Sequence, residues 1–168
     1  MLPSREAAVH PRRRFERSPG TSPALQPTQA QHEILVVDDE PRLRDLARCT
    51  LADHGYCVTT AASGHEALAL VAARPFALVI SDYAMPDGDG LTLLAAMRRL
   101  RPELPFILWS AALPSEARRQ ACDLGAENCH AKVTGDDLSK LVDDVLAQRR
   151  RKQRNTNLRL ASPPFAGR

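Results

Sequence analysis

Short apolar runs alternate along this chain with segments whose apolar residues recur at helical spacing. Runs that are apolar throughout lie at 34–37, 76–80 and 106–109, and weaker strand-like segments lie at 56–60 and 127–131. Between the first two segments, Leu43, Ala47 and Leu51 recur every four residues, as on one face of an amphipathic helix. The pattern predicts a strand followed by a helix, repeated five times.

Local signals place the boundaries of the predicted helices. Pro41 is suited to the first turn of a helix, Gly55 to its end, and Ser63 to the N-cap of the next one. The remaining predicted helices cover Asp89–Leu100, Pro114–Leu124 and a segment that opens at Gly135 or Asp136 and runs toward Gln148.

Strands that are apolar throughout are buried on both faces, as in a parallel sheet. Right-handed crossover connections then place helices on both sides of that sheet. We therefore predict an α/β fold: a doubly wound, five-stranded parallel sheet with five helices. In such a sheet, ligands bind at the carboxyl ends of the strands.

Charge divides the 168 residues into three parts. Residues 1–32 hold five Arg and two Glu among several Pro, and we predict a disordered basic tail. Residues 33–148 form the predicted folded domain, with 11 basic and 18 acidic residues, which argues against a nucleic-acid-binding platform. Residues 149–168 hold seven basic and no acidic residues, and we predict a second disordered tail whose first part, Arg149–Arg154, continues the last helix or frays from it.

Several classes of protein are excluded or disfavoured by simple features. No apolar run approaches the length of a membrane span, and the N-terminus has no apolar segment of the kind found in signal peptides, so we expect a cytoplasmic protein. The four Cys form no CxxC pair, which disfavours a zinc site. We expect them to be small buried thiols.

Polar side chains follow the predicted strands where the ligand crevice should lie. Asp38 and Asp39 follow the first strand, Asp82 the third, Ser110 the fourth and Lys132 the fifth. Three carboxylates in one crevice repel each other, and Mg²⁺ relieves that repulsion while bridging to a phosphate. A carboxylate can also be a phosphoryl acceptor, and a lysine and a hydroxyl can stabilise the transferred group. A simple Asp turn after a strand is the structural alternative.

Four segments together resemble the receiver domain of two-component response regulators. They are ILVVDDE (34–40), SDYAMPDGDG (81–90), FILWSA (106–111) and GAENCHAK (125–132). The resemblance spans about 33–148 and implies the strand order 2-1-3-4-5. It implies Mg²⁺ binding by Asp38, Asp39, Asp82 and the Ala84 carbonyl, and it implies phosphorylation of Asp82. Ser110 and Lys132 match the family's switch hydroxyl and active-site lysine.

Two positions depart from the family pattern. Cys129 stands where an aromatic residue usually reports phosphorylation, and Val133 stands where a proline usually follows the lysine. We predict a trans peptide bond before Val133, because a cis bond there costs about 3 kcal/mol. Ala84 and Ala112 are small where side chains screen attacking water in this family, so we expect a phosphoryl group that is not unusually long-lived.

The leading hypothesis is a single-domain response regulator that accepts a phosphoryl group from a sensor histidine kinase or a histidine phosphotransfer protein, catalyses its own phosphorylation and dephosphorylation, and signals to a downstream protein. The alternative is a binding module with the receiver fold and a vestigial site. DNA binding by the C-terminal arm is a weaker hypothesis, since its basic run Arg149–Arg154 carries no aromatic residues for stacking. The resemblance also implies a partner or homodimer face at 114–148, although its apolar residues are equally suited to the core.

Overall fold

The computed structural model describes residues 33–132 and 135–161. The strands are β1 Glu33–Val37, β2 Cys57–Ala61, β3 Leu78–Ser81, β4 Phe106–Ser110 and β5 Asn128–Ala131. The helices are α1 Pro41–Asp53, α2 Gly64–Ala73, α3 Gly90–Leu100, α4 Ser115–Asp123 and α5 Asp136–Ala161. Each predicted element is present, and apart from α5, which extends well past its predicted end, the differences at the element ends are small.

The strands form one parallel sheet in the order β2-β1-β3-β4-β5. This confirms the predicted doubly wound fold with five helices. In the register of the sheet, Val37 of β1 lies opposite Ser81 of β3, so the residues that follow them leave the sheet side by side. Ser110 of β4 lies opposite Ala131 of β5 in the same way. The sequence positions with polar chemistry therefore meet at the carboxyl edge.

The core lies on both faces of the sheet, because successive strand residues point to opposite sides. Ile34 and Val36 pack with Trp109 against α1 and α5, whereas Leu35 and Val37 pack against α2, α3 and α4. The apolar residues of α5 were predicted to belong either to a partner face or to the core. Four of them are at most 8 % exposed and belong to the core: Leu138, Leu141, Val142 and Val145.

Two of the predicted boundary signals act as expected. The Ser63 hydroxyl accepts a hydrogen bond from the Glu66 amide at 3.1 Å, and thereby caps α2. Gly55 follows α1 with a φ of +84°, a left-handed conformation that side chains rarely adopt. Gly55 thus marks where the chain leaves α1 and turns back toward the sheet, and Ser63 marks where it enters α2.

α5 continues without interruption past Gln148 to Ala161. Arg149–Arg154 therefore continue the last helix, which is one of the two predicted outcomes, and the added turns extend beyond them into the segment predicted as a disordered tail. Arg, Lys, Gln and Leu dominate the added turns, and all of them favour helix. Arg149 also lies 3.6 Å from both Glu103 and Glu127, and Lys152 lies 3.7 Å from Glu127. These contacts hold the first added turns against the acidic body. The tails at 1–32 and 162–168 and the peptide bond before Val133 lie outside the described residues.

Candidate functional site

Three carboxylates meet at the carboxyl edge of β1 and β3. Asp38 is buried after β1, Asp82 is 7 % exposed after β3, and Asp39 is exposed to solvent. Each offers one oxygen such that these oxygens all lie within 4.8 Å of one another. This arrangement is what the parallel register of β1 and β3 predicts, and it is a donor set suited to a hard divalent cation.

Lys132 balances the two buried carboxylates. Its Nζ lies 2.7 Å from Asp38 Oδ2 and 2.8 Å from Asp82 Oδ2. Burial acts to lower the pKa of Lys132, but the hydrogen bonds and charges of Asp38 and Asp82 outweigh it and raise the pKa. The ammonium also lies 5.7 Å from the centre of the Trp109 ring, within the range of a cation–π contact. Lys132 is therefore a fixed positive charge beside Asp82.

Backbone amides orient the two buried carboxylates. Asp82 Oδ1 accepts a hydrogen bond from the Tyr83 amide at 2.6 Å, and Asp38 Oδ1 accepts one from the Glu40 amide at 2.9 Å. Arg44 donates to the backbone carbonyl of Asp38 at 2.6 Å. These contacts hold the carboxylates at the crevice before any ligand arrives.

Asp38 Oδ2 has capacity for a cation. The atom is buried, and its partner within the described residues is the Lys132 ammonium, 2.7 Å away. A carboxylate oxygen with a single partner keeps a lone pair that can bind a metal ion. The acidic, oxygen-only donor set and this oxygen together fit a Mg²⁺ ion.

Ser110 lies at the end of β4 and is 3 % exposed. Its hydroxyl donates to the Ala112 carbonyl at 3.3 Å, so it is turned toward its own loop instead of toward Asp82. Ala84 is exposed in the loop that follows Asp82. The structure thus brings Asp38, Asp39, Asp82 and Lys132 together and leaves Ser110 at the margin. The roles predicted for all six residues, including Ser110 and the Ala84 carbonyl, remain predictions.

Gly90 belongs to the site, although sequence reasoning described its segment only as a turn into a helix. A Cβ at this position would lie 2.3 Å from the Asp82 carbonyl oxygen and 2.7 Å from Leu108 Cδ2. The Gly90 amide donates to the Tyr83 carbonyl at 2.7 Å. The start of α3 therefore packs directly on the backbone of Asp82, and only glycine fits there.

The cysteines differ from the expectation that all four are buried. Cys129 is buried in β5, and burial raises the pKa of its thiol. Arg118 of α4 donates to the Cys129 carbonyl at 2.7 Å and so ties α4 to β5. The other three thiols are exposed, on α1, β2 and α4: Cys49, Cys57 and Cys122. Cysteine behaves as a small apolar residue in sequence patterns, so the sequence does not distinguish the buried thiol from the exposed ones.

The sequence matches the family model of the response regulator receiver domain over residues 34–145. The chain therefore belongs to the response regulator receiver family. Receiver domains bind Mg²⁺ at an acidic pocket and are phosphorylated by histidine kinases. Among the described helices, none combines the length and the apolar character needed to cross a membrane.

Similar proteins and structures agree with this assignment. An uncharacterised 14.6 kDa protein of Leptolyngbya boryana is 43 % identical over 100 residues, which are 58 % of this chain and 76 % of that protein. The transcriptional regulatory protein GlrR of Escherichia coli is 35 % identical over 116 residues, 68 % of this chain but only 26 % of GlrR. The chain thus spans about a quarter of GlrR.

Two solved structures have a similar fold. A CheY-like receiver domain protein from Methanospirillum hungatei superposes with a TM-score of 0.69 at 29 % identity, covering 71 % of this chain and 97 % of that one. TrrA from Thermotoga maritima, solved in complex with Mg²⁺ and BeF, superposes with a TM-score of 0.61 at 33 % identity, covering 67 % and 97 %.

Proposed function

We propose that this chain acts as a single-domain response regulator that accepts a phosphoryl group on Asp82 from a phosphohistidine donor. The observation that supports this most directly is the placement of Lys132 Nζ 2.8 Å from Asp82 Oδ2, within a cluster of three carboxylates. A vestigial site would have no need to keep both the acidic cluster and its buried counter-charge. We propose a sensor histidine kinase or a histidine phosphotransfer protein as the donor, a protein as the downstream target, and the cytoplasm as the location of this chain.

The proposed reaction is a transfer between two nucleophiles. An oxygen of the Asp82 carboxylate attacks the phosphorus, an O–P bond forms, and the N–P bond of the phosphohistidine breaks, leaving a neutral imidazole after proton uptake from solvent. The two hydrogen-bond donors on Asp82, the Tyr83 amide and the Lys132 ammonium, hold the attacking group at the crevice. Preorganised donors of this kind need little rearrangement when charge develops.

Asp38, Asp39 and Asp82, with the Ala84 carbonyl, would hold Mg²⁺. The ion, when bound, would neutralise part of the charge on the phosphoryl oxygens. Lys132 contributes a positive charge from the other side of Asp82. For the Ser110 hydroxyl to donate to a phosphoryl oxygen, it must leave the Ala112 carbonyl, and its long 3.3 Å bond makes that exchange inexpensive.

The test is an intact-mass measurement after incubation with Mg²⁺ and a small phosphodonor. We expect one phosphoryl adduct that requires Mg²⁺, is absent in Asp82→Asn, and is retained in Asp45→Asn, which removes an exposed carboxylate on α1. Trp109 lies beside Ser110 and contacts Lys132, so its fluorescence offers a parallel readout. A half-life of days for the adduct in the isolated protein would contradict the expectation that the phosphoryl group is not unusually long-lived.

The alternative function is a receiver-fold binding module that works without phosphorylation. The observation that favours it is Cys129, a buried thiol at the position of the family's signalling aromatic residue. A folded protein that gives no adduct and does not respond to beryllofluoride would support this alternative and overturn the proposal. Capture of the protein partner would then be the informative experiment.

A further inference from the structure

A second concave site lies at the opposite, amino-terminal edge of the sheet. It is a cavity of about 670 Å³ between the segments that lead into β3 and β4, the ends of α2 and α3, and the middle of α5. That volume lies in the range of small-molecule pockets. The added turns of α5 form one wall, through Arg149, Arg150 and Gln153. We call it the amino-edge groove.

The floor of the amino-edge groove is apolar. Val71, Phe76 and Leu104 line it and are each at most 9 % exposed. Leu100, at the end of α3, also lines the groove but is 40 % exposed, which is unusual for a leucine in this domain. Burying an exposed leucine side chain against a ligand is favourable, because it removes apolar surface from water. The groove thus offers an apolar surface to a ligand.

Arginine side chains rim this apolar floor. Arg74 pairs with Glu33 at 2.6 Å and stacks 5.0 Å above the Phe76 ring, and Arg149 lies near two glutamates. Arg101, which also lines the groove, differs, because its guanidinium is in none of the ion pairs of the described residues. The carboxyl end of α3 contributes only about half a negative charge beside it. Arg101 is therefore a cation that remains available beside Leu100.

We propose that the amino-edge groove binds a small organic anion that has an apolar body and an acidic group. The apolar body would lie on Val71, Phe76 and Leu100, and the acidic group would accept hydrogen bonds from Arg101, whose planar fork suits a carboxylate, sulfonate or phosphate. This proposal is independent of phosphorylation, because the groove and Asp82 lie at opposite edges of the sheet.

The test compares two probes that share an apolar body and differ in charge. They are 1-anilinonaphthalene-8-sulfonate, which is an anion, and N-phenyl-1-naphthylamine, which is neutral. We expect the anion to bind with one-to-one stoichiometry and more tightly than the neutral probe, as measured by fluorescence titration. Arg101→Gln should weaken binding of the anion about fivefold and leave the neutral probe unchanged. Leu100→Ser should weaken both.

Matched variants separate the groove from general surface effects. Arg99→Gln removes a neighbouring exposed cation on α3, and Leu46→Ser removes a leucine on α1 that is also 40 % exposed. Both should leave binding unchanged. Amide shifts in a nitrogen-15 spectrum should cluster at Val71, Phe76 and Gln153. Equal affinity for the two probes, the same loss in Arg99→Gln as in Arg101→Gln, or no binding would overturn the proposal.

Discussion

Gly90→Ala tests whether the start of α3 packs on the backbone of Asp82 as closely as the structure shows. The added Cβ would lie 2.3 Å from the Asp82 carbonyl oxygen and 3.2 Å from its carbonyl carbon. Leu108 could move its side chain, but the backbone of Asp82 cannot yield without shifting the end of β3. Overpacking of this kind costs about 1 to 3 kcal/mol, offset by up to about 1 kcal/mol for alanine over glycine in a helix. We expect a net loss of about 1 to 2 kcal/mol.

Gly64→Ala is the matched control, because Gly64 is also the first residue of a helix. Its Cβ would meet Leu93 at 3.7 Å, an ordinary contact, so this variant should be neutral or slightly more stable. Urea unfolding followed by Trp109 fluorescence gives both free energies. Gly90→Ala should also slow phosphorylation of Asp82, whereas Gly64→Ala should not. Equal stability and equal phosphorylation rates in the two variants would refute the close packing.

Two further predictions concern contacts elsewhere in the domain. Arg98 donates hydrogen bonds to the carbonyls of Leu124, Leu104 and Gly125 at 3.1, 2.7 and 2.6 Å. Arg98→Met should therefore lower the free energy of unfolding by about 2 kcal/mol, whereas Arg99→Met should change it little. Similar free energies for the two variants in urea unfolding would contradict this role of Arg98. Cys129 is buried, and burial raises the pKa of its thiol, whereas the other three cysteines are exposed. At pH 8 a thiol reagent should therefore modify three cysteines quickly and Cys129 slowly, and all four should react in denaturant. Four fast-reacting thiols in the native protein would refute the burial of Cys129.

The fold could be predicted because each signal in the sequence was local. The runs at 34–37, 76–80 and 106–109 are too short and too uniformly apolar for surface elements, and a parallel sheet is the common way to bury both faces. Once the sheet is parallel, the residues after its strands must share an edge. This is why Asp38 and Asp82 could be placed together without any structure.

What could not be predicted depends on contacts between distant segments. Nothing in the sequence around Gly90 shows that its Cα approaches the carbonyl of Asp82. The length of α5 depends on the proximity of Arg149 to Glu127, which are distant in sequence. The orientation of the Ser110 hydroxyl depends on the loop that follows it. In the sequence alone, the basic run Arg149–Arg154 looks solvated, because its counter-charges, Glu103 and Glu127, lie on distant segments.

The positive charge of Lys132 allows the acidic cluster to fold before it binds a cation. The Lys132 side chain is 12 % exposed, and those of Asp38 and Asp82 are 1 % and 9 % exposed, so these charges are largely removed from water. Removing one partner of such a group costs about 3 kcal/mol, because the remaining charges are left uncompensated. We therefore expect Lys132→Met to unfold at markedly lower urea than the wild type.

Mg²⁺ should partly reverse that loss. The wild type carries its own counter-charge, so EDTA should change its stability little, whereas the cluster without Lys132 keeps its negative charge and should gain more from the ion. Lys140→Met is the control, since Lys140 is 72 % exposed and lies 3.9 Å from Asp137 on α5. It should behave as the wild type in both conditions. If Lys132→Met were as stable as Lys140→Met and gained no more from Mg²⁺, the lysine would not be the charge that holds the cluster together.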